Sequence, residues 1–414
     1  MAHSESGSSQ PATGVSGSTL QKTARAAVVL AALAPSASWA LFGDRVELWA
    51  AENVTHDTNV LRLSREINPL LANTRDKGDT IYTTHLGASA NARWSQQHLT
   101  AEYTWYKSQY RYFKDFDFSG HTARANLDWV LNPGANGTLG YTEAAGLASF
   151  ANIQSRDPDL VTSRTLYATG NYLVTPRYRL SGGLQGVQTR HGSALRKVND
   201  IDIESGELGL SYVTPLDNSF GVVSRVEHGR LPNSTTLGAA TFDNSYRQYG
   251  VGATAIWIVT GHSRLDGRIE AVTRKYDQGS QRNYSGPIVK ALYTWTPTGK
   301  LTVAAALTRD VGPAEDIQTS FVLITGGYVR PRWNVTDKVT LQGNAEYNVW
   351  DYRGDPLVGS SVRHHVRLFG ASISYRPTQK ILLQAGINRE VRTSSLAFAD
   401  YEVDVAFVEG RIGF

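Results

Sequence analysis

The chain has 414 residues, with 38 Gly, 20 Tyr, one Met and no Cys, and its residues are 19% charged and 41% hydrophobic. Lys and Arg total 41 against 37 acids, spread along the chain, which leaves no basic block for nucleic acid. This balance excludes a disordered chain and a helical membrane protein, and the lack of Cys excludes a disulfide-stapled domain.

Residues 1–20 are rich in Ser and Gly. Lys22 and Arg25 then precede the apolar run Ala26 to Ala34, followed by Pro35 and the small-residue site Ser38-Trp39-Ala40. A basic stretch, an apolar stretch and a cleavage site in that order predict a secretory signal, cut after Ala40 so that Leu41 begins the mature chain. The apolar run is too short to cross a bilayer as a helix, and no later stretch reaches about eighteen apolar residues. Any spanning of a membrane therefore falls to strands.

From Leu41 onward, alternating segments recur, separated by breaks that are short and long in turn. The short ones are Ser95–Gln97, Asn132–Asn136, Thr175–Arg177, Thr214–Asn218, Thr260–Ser263, Pro297–Lys300, Asn334–Lys338 and Pro377–Lys380, most of them with Pro or Gly. The long ones are polar: His56–Gly78, Asp157–Val161, His191–Asp200, Arg230–Ser245 and Arg353–Ser361. Short turns on one side and long loops on the other are the asymmetry of outer-membrane barrels.

An aromatic residue stands just before each short turn: Trp94, Trp129, Tyr172, Tyr212, Trp257, Trp295, Trp333 and Tyr375, and Phe414 closes the series. Successive members are 35 to 45 residues apart, one hairpin plus its connections. Every second strand thus ends in a ring at one membrane interface, as in the aromatic girdles of barrels. A propeller of similar period would need four short strands per repeat with Gly-His and Trp-Asp signatures, and each repeat here holds two long strands.

The alternation sets the facing. Val339, Leu341, Gly343, Ala345, Tyr347 and Val349 share one side of a strand, with Thr340, Gln342, Asn344, Glu346 and Asn348 opposite. Arg264, Asp266, Arg268, Glu270 and Arg274 oppose Leu265, Ile269 and Ala271. Facing lipid, an Arg or Lys at midplane costs roughly 2–4 kcal/mol, so the charged sides must look into the lumen. The pore-lining residues expected on this basis are Arg93, Glu102, Arg124, Asp128, Arg225, Glu227, Arg264, Asp266, Arg268, Glu270 and Glu346, with Arg179, Glu207 and Lys290 beside them. Their signs nearly balance, which predicts cross-strand ion pairs stiffening a hydrated wall and argues against a strongly anion-selective pore.

Candidate chemistry is sparse. His191-Gly192-Ser193 has the His-x-Ser spacing of certain outer-membrane hydrolases, yet it sits in a polar loop and its position implies no acidic partner. His364 and His365 point to opposite sides of one strand and cannot chelate together. Asp200, Asp202 and Glu204 lack the spacing and Gly of a calcium loop and read as a solvated strand edge. No catalysis, metal or cofactor is expected.

The stretch Trp94-Ser95-Gln96-Gln97-His98 through Tyr103, then Tyr110-Arg111-Tyr112-Phe113-Lys114-Asp115-Phe116-Asp117-Phe118, resembles the EpsL-type family of outer-membrane barrels encoded with exosortase-linked exopolysaccharide operons. His56-Asp57-Thr58-Asn59-Val60-Leu61-Arg62-Leu63 and Asp128-Trp129 with Asn132-Pro133 add to the resemblance, which covers roughly residues 45–151. It implies export or assembly of an extracellular polysaccharide and offers no catalytic motif.

The sequence thus predicts an all-β fold, one transmembrane antiparallel β-barrel of about 18 strands over residues 41–414, after an N-terminal extension and signal peptide at 1–40. Its expected place is the outer membrane. The expected function is a conduit for a secreted polysaccharide, working with a periplasmic export or co-polymerase protein. The alternatives are a general or sugar-selective uptake porin and, behind it, an outer-membrane enzyme or a structural barrel. Further expected partners are outer-membrane lipids and the barrel-assembly machinery, which would read the final strand with Ala406, Val408, Gly410, Ile412 and Phe414 on one face.

Overall fold

The computed structural model describes residues 46–414 except 73, 75, 133, 152–155, 234, 238–239, 279–281, 314–320 and 354–361. The expected signal segment and its cleavage site lie outside the described residues.

Among the described residues, eighteen long strands form the wall. They are β1 (Val46–Asp57), β2 (Asp79–Trp94), β3 (Gln97–Tyr110), β4 (Phe118–Asn132), β5 (Ala135–Leu147), β6 (Leu160–Thr175), β7 (Tyr178–His191), β8 (Ile201–Val213) and β9 (Ser219–Arg230). After a short hairpin of β10 (Thr235–Leu237) and β11 (Ala240–Phe242) come β12 (Tyr246–Thr260), β13 (Ser263–Tyr276), β14 (Tyr284–Thr298) and β15 (Leu301–Pro313). The wall ends with β16 (Phe321–Asn334), β17 (Val339–Arg353), β18 (Val362–Tyr375), β19 (Ile381–Ser394) and β20 (Tyr401–Gly413). Each pairs antiparallel with the next, and β1 pairs with β20 from Trp49↔Gly413 to Asp57↔Val405. The sheet therefore closes on itself, leaving no free edge. No described helix is long and apolar enough to cross a membrane.

Two connections differ from the sequence reading. The break expected at Asp157–Val161 is longer and begins earlier, because β5 ends at Leu147 and β6 starts at Leu160. The break expected at Arg230–Ser245 is not wholly irregular, since it holds the β10–β11 hairpin. The tight turns sit where expected; at two of them Ser95 and Asp217 take positive φ values of 53° and 57°, tolerated by short polar side chains.

Contacts that skip strands identify the concave side, because only side chains inside a closed wall can reach past a neighbouring strand. The Tyr167 hydroxyl on β6 donates to Asn126 Oδ1 on β4, 2.6 Å away, with its ring lying over Gly140 of the intervening β5. A Cβ at Gly140 would fall 2.1 Å from that ring, so only glycine fits there. Arg268 on β13 reaches Glu207 on β8 at 2.6 Å, past β12 and β9. From these anchors, alternation and register assign every strand its lumen side. The aromatics before the short turns, Trp94 through Tyr375, all take the opposite, lipid-facing parity, and Trp94, Trp257, Trp333 and Tyr375 are each more than two-fifths exposed.

Candidate functional site: the lumen and its narrowed mouth

The expected pore-lining residues all lie on the lumen side by parity, but they do not share one environment. Three polar recesses indent the wall. One of about 490 Å³ is lined by Arg179, Asp266, Arg268, Lys290, Thr308 and Tyr328. A second, of about 410 Å³, brings Glu47, Asn91, Glu102 and Arg124 together. A third, of about 470 Å³, holds Arg330, Arg332, Gln342, Asn344 and Asn388.

The ion pairs run as much along strands as across them. Arg264 pairs Asp266 at 2.6 Å, Arg268 pairs Glu270 at 2.5 Å, and Arg225 pairs Glu227, each two residues apart on one lumen side. This corrects the purely cross-strand expectation. Neighbours at i and i+2 on a strand sit close enough for the long Arg stem to fold back onto a carboxylate. Across strands, Lys290 meets Asp310 at 2.7 Å and Arg330 meets Glu346 at 3.1 Å. Asp128 accepts the Thr138 hydroxyl at 2.7 Å. Arg124 stands directly opposite Glu102 in the ladder, though the two form no ion pair, and Arg93 and Arg179 have no carboxylate partner among the described residues.

Two of the expected residues are not on open surface. Glu227 and Glu270 are 8% and 2% exposed, packed towards the long-loop end. Arg274, which the sequence placed on the charged face but not among the pore-lining set, is 1% exposed there. It stacks 3.8 Å from the Tyr246 ring, and its guanidinium donates to Gln248 Oε1 (2.8 Å) and the Val311 carbonyl (3.1 Å), with Glu227 at 3.4 Å.

Burial at Arg274 follows from what covers it. β15 pairs with β14 only as far as Arg309↔Val289, whereas β14 continues to Tyr284 against β13. Released on one side, the end of the β15–β16 hairpin turns over the mouth. There Val311, Phe321 and Leu323 pack with the lumen-side Tyr246, Val272, Tyr276, Tyr284 and Ile288.

A second mass closes in from the opposite wall. The loop after β1 places Val60, Leu61 and Leu63 against Phe113 and Phe116 from the loop after β3 and Phe150 from the loop after β5. Asn59 ties this loop down, donating to the Leu63 and Glu402 carbonyls at 2.8 and 3.0 Å. The loop after β5 goes further: Ala151 packs against Tyr401 and Val403, on the lumen side of β20. Five strand intervals separate β5 from β20 around the wall, so this loop crosses inside the mouth. The loop on the first hairpin, the longest of the breaks, thus helps to narrow the mouth. Sequence carried one signal of it, Tyr246, Tyr276 and Tyr284 on a lumen side that is otherwise polar.

The remaining motifs resolve as structural ties. His191 does have an acidic partner, Asp159, at 2.7 Å from its Nδ1. The Ser193 hydroxyl, however, donates to Asp157 rather than to His191, so no nucleophile–base pair forms and the trio docks two loops together. Asp200 is buried and accepts the His191 and Asn233 nitrogens at 2.7 and 3.1 Å, and Asp202 pairs with Arg190 and Arg230, so this run is no solvated edge. His364 is buried on the lumen side while His365 faces outward against Tyr347.

The family model described as "Putative beta-barrel porin 2" matches residues 262–414. A comparison with curated proteins finds no match. Among solved structures, the chain is similar to OpdK of Pseudomonas aeruginosa with vanillate, at 10% identity over 89% of this chain and 99% of that one, TM-score 0.48. OccK2 (OpdF) of the same organism is similar at 9% identity over 89% and 98%, TM-score 0.49. A BenF-like porin from Pseudomonas fluorescens Pf-5 follows at 10% identity over 90% and 99%, TM-score 0.48. Over residues 262–414 the chain is thus similar to a family of β-barrel porins, and its fold is a closed eighteen-stranded antiparallel barrel.

Proposed function

We propose that this barrel is a diffusion channel for small hydrophilic solutes, the uptake-porin reading rather than the polymer conduit. The observation that carries it is the pair of apolar masses, from the loops after β1, β3 and β5 and from the β15–β16 hairpin, that enter the mouth from opposite walls. An eighteen-stranded barrel is wide enough for a water-filled channel. Filling part of its mouth with packed side chains narrows the passage, with polar recesses below to exchange hydration for hydrogen bonds. Among the described residues, His191 and Ser193 are held by Asp159 and Asp157 rather than paired with each other.

Planar-bilayer conductance and liposome swelling with sugars of graded size test it. Replacing 148–159 with a Gly-Gly link should raise conductance several-fold and admit larger sugars. Unchanged conductance would overturn the constriction. Polysaccharide export is the second reading, favoured by the resemblance over residues 45–151, whose Tyr110–Phe118 stretch builds part of the mouth. It requires that mouth to open, so long oligosaccharides should then cross the intact wild-type barrel when a periplasmic partner is added.

A further inference from the structure

We infer that the outward side of the barrel binds a membrane lipid with a net-anionic phosphate headgroup, held by Arg247 of β12 and Lys275 of β13, with an acyl chain in the adjoining groove over β6 to β12. Arg247 and Lys275 are direct cross-strand partners on the lipid-facing side, both exposed. Like charges placed directly opposite destabilise a sheet, and more so where lipid lowers the local dielectric. Neither cation has an ion-pair partner among the described residues. Of the outward groups around them, His228 stands opposite Arg247 and Glu204 opposite His228. Asp202, one row further out, is already held by Arg190 and Arg230, and Asp277 beyond Lys275 forms no ion pair. The pair is an uncompensated double positive charge.

Its height is that of a headgroup. Trp257, in the aromatic girdle at the short-turn end, lies ten residues along β12 from Arg247. At ~3.3 Å per residue and a strand tilt near 40°, that is about 25 Å of vertical rise, the height of a barrel's apolar band. Arg247 and Lys275 thus stand at the far interface, with Tyr249 just below.

Beside Arg247 lies an outward groove of about 980 Å³ whose upper edge is Arg247, His228 and Glu204. Leu166, Leu184, Val226 and Tyr249 wall it, and Gly186 and Gly206 form its floor. A Cβ at Gly186 would touch nothing within 4 Å, so a larger side chain there would project freely into the groove. A largely apolar groove that reaches Arg247, with Lys275 as that residue's cross-strand neighbour, matches an acyl chain carrying a net-anionic phosphate headgroup.

The folded barrel in phosphatidylcholine, with phosphatidylglycerol added, tests this by native mass spectrometry and by the heat-modifiable gel shift. Wild type should retain phosphatidylglycerol and gain thermal stability from it. R247Q/K275Q should lose retention about tenfold, gain no stability from phosphatidylglycerol, and in phosphatidylcholine alone melt above wild type, since the repulsion is gone. Gly186→Leu, which fills the groove and leaves the cations in place, should also lower retention. Equal retention by wild type and the double variant would overturn the proposal, as would stabilisation by phosphatidylcholine to the same degree or by inorganic phosphate in place of the lipid. Unchanged retention by Gly186→Leu would overturn the acyl-chain half. These outcomes are independent of what the lumen conducts.

Discussion

The β15–β16 hairpin obeys opposite rules at its two ends. Near mid-membrane, Leu307 and Val329 face outward and are 68% and 47% exposed, as lipid contact demands. Further along, Val311, Leu323 and Phe321 keep the same outward parity yet are all buried against the lumen side of β13 and β14. Alternation is unbroken; only the strand's path changes. Parity decides which side of its own strand a residue occupies, while neighbour pairing decides where that side ends up. In the wall, apolar residues are held out by lipid. In the mouth the same pattern builds a conventional core, stabilised by burial from water.

The largest break in that comparison should come from the mouth. Arg274→Ala leaves the buried Glu227 with Arg225 as its one remaining cation, removes the hydrogen bonds to Gln248 and the Val311 carbonyl, and empties the space under Tyr246. Removing one member of a buried pair costs about 3–5 kcal/mol. Thermal unfolding followed by the heat-modifiable band should show a loss of that order; a loss below ~1 kcal/mol would mean the hairpin does not depend on its underside.

Next comes the wall. Ile269→Arg puts a charge into lipid at an outward position now 54% exposed, with an expected loss of roughly 2–4 kcal/mol read as lowered folded yield in vesicles. Normal yield would mean that the strand register is slipped by one residue.

The smallest expected loss of stability is at Arg268, and it sharpens the contrast between neighbours. Arg268→Ser frees Glu207, which is near water, but also strips the buried Glu270 of its cation, so about 1–3 kcal/mol is expected rather than none. Ion preference in single-channel records should shift towards cations. With no native Cys, Arg268→Cys should react with a membrane-impermeant thiol reagent and Ile269→Cys only with a lipid-soluble one. The reverse pattern would exchange lumen and lipid sides along β13.

The wall was legible because its grammar is local. Period two, a turn residue and a ring before each turn occur within one hairpin, so facing could be read from Val339–Val349 or Arg264–Arg274 without knowledge of any partner strand. The mouth was not, because its contacts join distant segments. Nothing around Ala151 announces Tyr401. The loop after β5 was also read too short, since the apolar Leu147, Ala148, Phe150 and Ala151 look like more strand until their partners, on other loops and on β20, are known. Burial of Glu227 and Glu270 was hidden for the same reason: parity places a carboxylate in the lumen but says nothing of a hairpin folded over it.

The seam between β1 and β20 has a kinetic consequence. Nine positions of β1, Trp49 to Asp57, find their second partner only in residues 405–413, and the Phe414 nitrogen donates to the Leu48 carbonyl at 2.8 Å. Contacts of such sequence separation form slowly, because loop closure must precede any reward. Until then β1 presents a row of unsatisfied amides and carbonyls beside outward apolar side chains, a template for pairing with the wrong strand. The half-life of that open edge, rather than the stability of the finished ring, should limit how much chain reaches the membrane intact.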